Sequence, residues 1–145
     1  ITGWAVFDDG KYVRHGMIDR HTDKDSKGRF INMCFDIRDL LRKYQPDHVV
    51  IEDIMYKRSA QAVILLARLQ GIIMGYCDML NIPYTVYLPS QWRKVLGFKQ
   101  GRVTRENLKQ QAIDLIRDTY NLSVQTDEAD ALCIAMAYLK NMEEK

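Results

Sequence analysis

The sequence predicts an α/β protein in which a mixed sheet is flanked by helices, and three observations indicate this class. The chain opens with a hairpin pattern, a β-branched run at residues 48–52 indicates a buried strand, and helical and strand-like segments alternate after it. With 145 residues, 47% of them hydrophobic, the chain is long enough for one domain and too short for two. We therefore expect a single domain over residues 1–145.

The hairpin is predicted at the start of the chain. Two strand-like runs, residues 1–7 and 12–18, are joined by a segment that contains Asp9 and Gly10. An Asp-Gly pair favours a two-residue hairpin turn because both positions tolerate positive φ angles. Asp8 and Asp9 are therefore interpreted as turn residues rather than as catalytic acids.

The middle of the chain alternates between helix and strand. The predicted order is loop 21–28, helix 30–44, strand 48–52, helix 59–80 and strand 84–88. The long helix is the most apolar, but Arg68 and Asp78 interrupt it, so we expect a buried or interface helix and no membrane span. Its Gly71 and Gly75 lie one turn apart and permit close approach of another helix.

The last third of the chain is predicted to be helical. One helix starts near Pro89 with Ser90 as its cap, a second follows the cap residue Thr104, and the last runs from about Asp127 to Asn141. Residues 97–103 form the loop between the first two.

The cysteine pattern indicates the cellular compartment. Cys34, Cys77 and Cys133 lie in predicted helices without paired spacing, which indicates reduced core thiols rather than a disulfide frame or a zinc site. We therefore expect a cytoplasmic protein. The net charge of +2 is too small to indicate nucleic-acid binding by itself, so the distribution of charge has to decide that question.

Three carboxylates form a candidate metal site. Glu52 ends a buried strand, where an acid usually points into a site, and Asp127 and Asp130 share one face of the first turn of a helix. Carboxylates brought together need cations to neutralise them, and hard oxygen ligands suit Mg²⁺ or Mn²⁺. The alternative is that both aspartates merely stabilise the helix N-terminus.

A basic segment lies between these carboxylates in sequence. Glu106 is its one acid, and its basic residues are Arg93, Lys94, Lys99, Arg102, Arg105 and Lys109. Such side chains contact phosphates and give affinity that depends on salt and not on base sequence. A solvated helix face is the alternative for any single residue, but the clustering favours DNA.

Four motifs follow one another along the chain: Thr2-Gly3-Trp4-Ala5-Val6, Val49-Val50-Ile51-Glu52-Asp53, Arg68-Leu69-Gln70-Gly71, and Thr126-Asp127-Glu128-Ala129-Asp130-Ala131-Leu132-Cys133-Ile134-Ala135. In these motifs the chain resembles the RuvC family of Holliday-junction resolvases, within the RNase H-like superfamily. The compact form is more similar to phage members of that family. The resemblance implies a mixed five-stranded sheet and a Mg²⁺-dependent endonuclease that acts as a homodimer on four-way DNA junctions.

The resemblance also assigns roles to residues. Glu52, Asp127 and Asp130 match the family's metal-binding catalytic carboxylates, and the implied chemistry is two-metal phosphodiester hydrolysis. Lys94 and Lys109 match positions that contact backbone phosphates near the cut, with Lys109 counted among the catalytic residues.

The family's remaining acid is an aspartate on the first, central strand of the sheet. That position lies upstream of Ile1, so we expect the first strand to be missing from this sequence and the domain to be incomplete at its N-terminus. A natural truncation is the alternative, and it would place cleavage itself in doubt.

A short segment after Glu52 is a further candidate for DNA contact: Met55, Tyr56, Lys57 and Arg58. An apolar or aromatic tip here could insert at a junction crossover and stack on an unpaired base. Equally, Met55 and Tyr56 could cover the core.

Two other functions remain open from the sequence. One is an RNase H-like nuclease that acts on a different nucleic acid, and the other is a branched-DNA-binding module without catalysis. The expected partners are branched DNA and a second copy of the chain, with no membrane. If the gene belongs to a phage, the compartment is the host cytoplasm.

Overall fold

A computed structural model describes residues 1–56 and 59–145 of the chain. These residues form, in chain order, β1 (Thr2–Asp8), β2 (Lys11–Ile18), α1 (Ser26–Tyr44), β3 (Val49–Glu52), α2 (Ala60–Met79), β4 (Tyr84–Tyr87), α3 (Pro89–Val95), α4 (Arg105–Tyr120) and α5 (Thr126–Glu143). They divide into two compact units, one made of Ile1–Ile18 with Pro89–Lys145 and the other of Asp19–Leu88.

The first unit is a hairpin packed against helices. Strands β1 and β2 pair antiparallel, and the turn between them has positive φ angles at Asp9 (50°) and Gly10 (75°), as the Asp-Gly pair predicts. Helix α5 packs on β1, α3 and α4. The core of this unit contains seven fully buried side chains: Trp92, Ala112, Ile116, Ala129, Leu132, Cys133 and Ala137.

The second unit contains a parallel strand pair and two helices. Strand β3 pairs with β4 so that Ile51 lies opposite Val86, and α1 packs against α2. His48 Nε2 lies 2.8 Å from Thr85 Oγ1 across the two strands. The buried side chains of this unit are Cys34, Ile37, Ile51, Leu69 and Cys77.

The described elements confirm the α/β class, and their strands include one antiparallel pair and one parallel pair. The described strands form two separate two-stranded sheets, β1-β2 and β3-β4. The predicted five-stranded sheet is a finer arrangement that these two pairs do not settle.

Helix α1 begins earlier than predicted. It starts at Ser26 rather than at residue 30, because the side chain of Asp25 accepts a hydrogen bond from Gly28 N (2.8 Å) and caps the helix. Helix α3 also differs, since it includes Pro89 at its first position, where the missing proline N–H costs nothing. Ser90 is therefore inside the helix and is not its cap.

Helix α2 is long and apolar, and little of it is buried. By length and composition it could cross a membrane, since it has 20 residues and a mean hydropathy of 1.4 over its most apolar window. One such helix is weak support for a span, because interface and core helices have the same composition. Only 11% of that window is buried, and Ile64 and Leu65 are about half exposed (48% and 50%).

The cysteines behave as predicted. Cys34, Cys77 and Cys133 are all buried free thiols. Burial raises the pKa of Cys133 to about 12, which keeps this thiol protonated and chemically inert.

Candidate active site

The first two turns of α5 carry Asp127 and Asp130 in one electrostatic environment. Asp130 is half-buried and Asp127 is exposed. Burial raises the pKa of Asp130 to about 6, the positive charge of Arg93 opposes that rise, and the negative charge of Asp127 adds to it. The acids thus repel each other across one face of the helix, and partial removal from water makes the repulsion stronger.

Neither aspartate is needed to start the helix. The residue before α5 is Gln125, and the carboxylate of Glu128 accepts a hydrogen bond from Gln125 N (2.9 Å) in a capping-box arrangement. The alternative in which Asp127 and Asp130 serve only as caps therefore loses its main support. Their side chains are left for another use.

Basic side chains surround this pair. The charges of Arg93, Lys109 and Arg105 all lower the pKa of Asp130, so three residues of the predicted basic segment lie near it. Lys109 is one of the two residues that the resemblance placed near the cut, and its role there stays a prediction.

Arg93 has the most defined position of these cations. Its Cζ lies 5.0 Å from the ring centroid of Trp92, which is fully buried. In the part of the chain that the structure describes, Arg93 Nε is buried without a hydrogen-bond partner. The sequence analysis ranked Lys94 above Arg93, but Lys94 is exposed, and its phosphate contact stays a prediction. The burial of Trp92 could have indicated the position of Arg93, because a side chain in the core orients the next residue of the helix.

The loop between α3 and α4 presents two more predicted phosphate contacts, Lys99 and Arg102, both exposed. Helix α4 holds the backbone of this loop: Gln111 Oε1 accepts from Lys99 N (2.9 Å), and Gln111 Nε2 donates to Lys99 O (2.9 Å). The loop backbone is therefore ordered by a side chain that the sequence analysis did not single out.

Glu52 ends β3 in the second unit, and its side chain is exposed. The next residue is firmly held: Asp53 N donates to Tyr87 O (2.8 Å), and Asp53 Oδ1 accepts from Gln70 Nε2 (3.1 Å). These two bonds fix the strand end that carries Glu52. The sequence analysis names Asp53 and Gln70 only within motifs and gives them no role. Their positions next to Glu52 and Gly71 in those motifs could have indicated one.

The tip after β3 is open to solvent. Tyr56 is 92% exposed and Met55 39% exposed, so Tyr56 does not cover the core. Exposure of an aromatic ring favours the alternative in which this tip stacks on a base. The other two predicted members of the tip, Lys57 and Arg58, lie outside the described residues.

The three histidines have protein partners. His21 pairs with Asp19, His48 with Thr85, and His15 Nδ1 lies 2.8 Å from Tyr12 Oη. His15 Nε2 also lies 3.7 Å from Glu128 Oε1, at the first turn of α5.

The donor set suits a hard divalent cation. Within each unit, the described residues bring together no group of three or more His, Cys, Asp or Glu side chains that could hold a metal. The first unit nevertheless supplies two carboxylates whose repulsion a cation would relieve, and their oxygens are the ligands that Mg²⁺ and Mn²⁺ prefer. Asp127 and Asp130 therefore fit part of a metal site.

Asp130→Asn is predicted to stabilise the metal-free protein above about pH 6. The unfolded carboxyl ionises near 3.8 and the folded one near 6, so the folded state binds more protons in between. Wild-type stability therefore falls as pH rises through this window, whereas asparagine does not titrate. The difference of about two pKa units corresponds to at most about 3 kcal/mol.

Thermal unfolding of both proteins between pH 3.5 and 8, in a chelator, measures this effect. The gain should disappear below about pH 4, where the aspartate is protonated in both states. Asp47→Asn, at an exposed position, is the matched control and should give no such gain. An Asp130→Asn protein no more stable than wild type at pH 7 would contradict the burial argument.

The sequence of this chain is similar to those of known proteins. A family model for crossover junction endodeoxyribonuclease RuvC matches residues 1–138. The RuvC of Thermomicrobium roseum is 24% identical over 143 residues, which cover 97% of this chain and 86% of that protein. The RuvC of Fusobacterium nucleatum is 27% identical over 150 residues, covering 100% of this chain and 77% of that protein.

A solved structure shows the same fold. RuvC of Thermus thermophilus in complex with Holliday junction substrate superposes with a TM-score of 0.70 at 15% identity, covering 92% of this chain and 80% of that chain. The α/β fold is therefore similar to that of RuvC. From the family match over nearly its whole length, the chain belongs to the RuvC family of crossover junction endodeoxyribonucleases.

Proposed function

We propose that this protein is a metal-dependent endonuclease that resolves Holliday junctions. One observation carries the proposal: a chain matched by the RuvC family model over residues 1–138 has a partly buried Asp130 beside Asp127, in the field of three basic side chains. Asp127 and Asp130 do not form the capping-box bond of α5, and basic side chains surround them. This arrangement favours binding of a charged ligand over a role in stability.

We assign the metal to Glu52, Asp127 and Asp130, with Mg²⁺ as the natural ion and Mn²⁺ as a possible substitute. Two such cations, when bound, would activate a water and stabilise the leaving 3′ oxygen during in-line displacement. The chain's own contribution is to hold the acids at fixed backbone positions. The bonds of Asp53 to Tyr87 and Gln70 do this for Glu52, and Glu128 does it at the start of α5.

The cations near Asp130 are assigned to the scissile phosphate. Arg93, Lys109 and Arg105 act on this carboxylate at short enough range to change its pKa, so a phosphate bound there would meet the same positive charges. Lys109 is therefore kept among the catalytic residues. Lys94, Lys99 and Arg102 are exposed and are assigned to phosphates further along the strand.

The tip after β3 is assigned to the junction centre. The exposed ring of Tyr56, with Met55 beside it, can stack on an unpaired base, and the charges of Lys57 and Arg58 suit the neighbouring phosphates.

We further propose that the protein is a homodimer formed through α2. This helix exposes Ile64 and Leu65, and a Cβ atom on Gly71 or Gly75 would meet no described atom within 4 Å. A two-fold dimer presents two equivalent sites to the two symmetric strands of a four-way junction. Sedimentation at micromolar concentration tests this, and a monomer that still cuts both strands together would contradict it.

The remaining parts of the proposal concern the domain and its setting. We propose one RNase H-like domain with a five-stranded sheet, to which the β1-β2 and β3-β4 pairs both belong. Three buried free thiols suit a reducing compartment, the cytoplasm.

Glu52→Gln is predicted to abolish cleavage of a four-way junction while leaving binding intact or tighter. The substitution keeps the shape of the side chain but removes the charge that a cation needs, and it reduces repulsion of phosphate. Single-turnover cleavage in Mg²⁺ at saturating protein gives the rate, and a binding assay in Ca²⁺ or chelator gives the affinity. Glu143→Gln, an exposed change near the end of α5, is the control and should cut normally.

Near-normal cleavage by Glu52→Gln would overturn the metal assignment. A wild-type protein that binds junctions but cuts no DNA in Mg²⁺ or Mn²⁺ would instead indicate the binding module. Preferential cleavage of an RNA–DNA hybrid or unbranched duplex would indicate a nuclease with another substrate.

Substitution of the basic residues is predicted to separate two groups. Replacing Lys99 or Arg102 by Gln should weaken binding and lower the slope of log affinity against log salt by about one unit per lost contact. Replacing Arg93 or Lys109 should also slow single-turnover cleavage beyond what weaker binding explains, since their charges act at Asp130.

Salt titrations of junction binding, paired with cleavage at saturating protein, measure both effects. Lys27→Gln, an exposed change on α1, is the matched control. Unchanged salt slopes across all four variants would mean that these charges are solvated surface and that DNA follows another path.

A further inference from the structure

We propose that Gly3 and the His15–Glu128 pair are positioning residues, through which the β1–β2 hairpin sets the placement of the metal-binding acids on α5. The inference rests on the proposed function. Neither Gly3 nor His15 is proposed to bind the metal directly. They act through the backbone and first turn of the helix that carries Asp127 and Asp130.

Gly3 lies in direct backbone contact with α5. A Cβ atom at this position would overlap the carbonyl oxygen and carbon of Asp127 and lie 3.0 Å from Glu128 N. Those atoms belong to the helix backbone and cannot rotate away as a side chain would. A glycine within a strand commonly marks such an approach, and here it places the helix start directly on the strand.

The second contact comes from the neighbouring strand. His15 Nδ1 is held by Tyr12 Oη at 2.8 Å, and its Nε2 lies 3.7 Å from Glu128 Oε1. The other oxygen of Glu128 accepts from Gln125 N (2.9 Å), the residue before the helix. The side chains of His15 and Glu128 are only 18% and 15% exposed, so their geometry is shielded from water.

The two contacts bracket the acids. Gly3 contacts the helix backbone at Asp127, and His15 contacts Glu128, one of the two residues between Asp127 and Asp130. Strand pairing couples both contacts, because Gly3 lies opposite Met17 and Ala5 lies opposite His15 in one ladder. A change at either contact should therefore move the carboxylates relative to the rest of the site.

Metal affinity is the property most sensitive to such a movement. Mg²⁺ demands near-ideal octahedral geometry, and functional side chains must be held to within about 0.5 Å. Loss of residues that orient metal ligands typically reduces metal affinity by about 10- to 100-fold.

Gly3→Ala is therefore predicted to raise the Mg²⁺ concentration for half-maximal cleavage by about 10- to 100-fold. Junction affinity in chelator should change little. A second readout without DNA is the rise in unfolding temperature on adding Mg²⁺ or Mn²⁺, whose concentration dependence should shift by a similar factor.

Gly16→Ala is the matched control within the same hairpin. A Cβ atom there would lie 2.7 Å from Cζ2 of the Trp4 side chain, and its three nearest atoms all belong to Trp4, so the substitution strains the hairpin rather than its contact with the Asp127 backbone. It should lower the unfolding temperature yet keep the wild-type metal dependence.

His15 provides an independent variant if Gly3→Ala folds poorly. His15→Leu loses both polar contacts and should raise the Mg²⁺ requirement several-fold, whereas His15→Gln can keep the contact to Glu128 through its side-chain amide and should restore most of the wild-type dependence.

Three outcomes would overturn the inference. They are wild-type metal dependence in both Gly3→Ala and His15→Leu, an equal shift in Gly16→Ala, or a His15→Gln protein no better than His15→Leu. A wild-type protein with no response to Mg²⁺ or Mn²⁺ in either readout would overturn the proposed function, and this inference with it.

Discussion

Repulsion between Asp127 and Asp130 near the start of α5 is the constraint on which the candidate active site depends. Two acids on one helical face cost little in water, but burial of Asp130 makes its charge expensive and raises its pKa to about 6. Arg93, Lys109 and Arg105 reduce that cost without removing it. The fold therefore keeps a partly uncompensated negative charge, which a bound cation would neutralise.

The surrounding elements make this arrangement tolerable. Glu128 takes over the capping of α5, which leaves the aspartates free of that role. Trp92 is buried under the guanidinium of Arg93 and so fixes a cation near the acids. In the second unit the bonds of Asp53 hold the end of β3 in place, so Glu52 also sits on a rigid support. Side chains placed on rigid elements are the arrangement that a precise metal site needs.

Local signals in the sequence were enough to predict most elements. The hairpin follows from Asp9-Gly10, and the helix over residues 105–120 from the cap Thr104, whose side chain accepts from Asn107 N (3.1 Å). The start of α1 was missed because Asp25 was not recognised as a cap. Features that depend on distant contacts could not be predicted. These include the approach of Gly3 to Asp127 and the effect of Arg93 on Asp130, since both depend on packing between segments far apart in the chain.

The central claim is that Asp127 and Asp130 bind a divalent cation that relieves their repulsion. Fe²⁺ bound in place of Mg²⁺ generates hydroxyl radicals with ascorbate and peroxide, and these cut the backbone next to the ion. We predict cuts near residues 127–130 that excess Mg²⁺ suppresses and that are lost in Asp130→Asn. A protein that is not cut at this segment, or is cut there in a way that Mg²⁺ does not suppress, would contradict the claim.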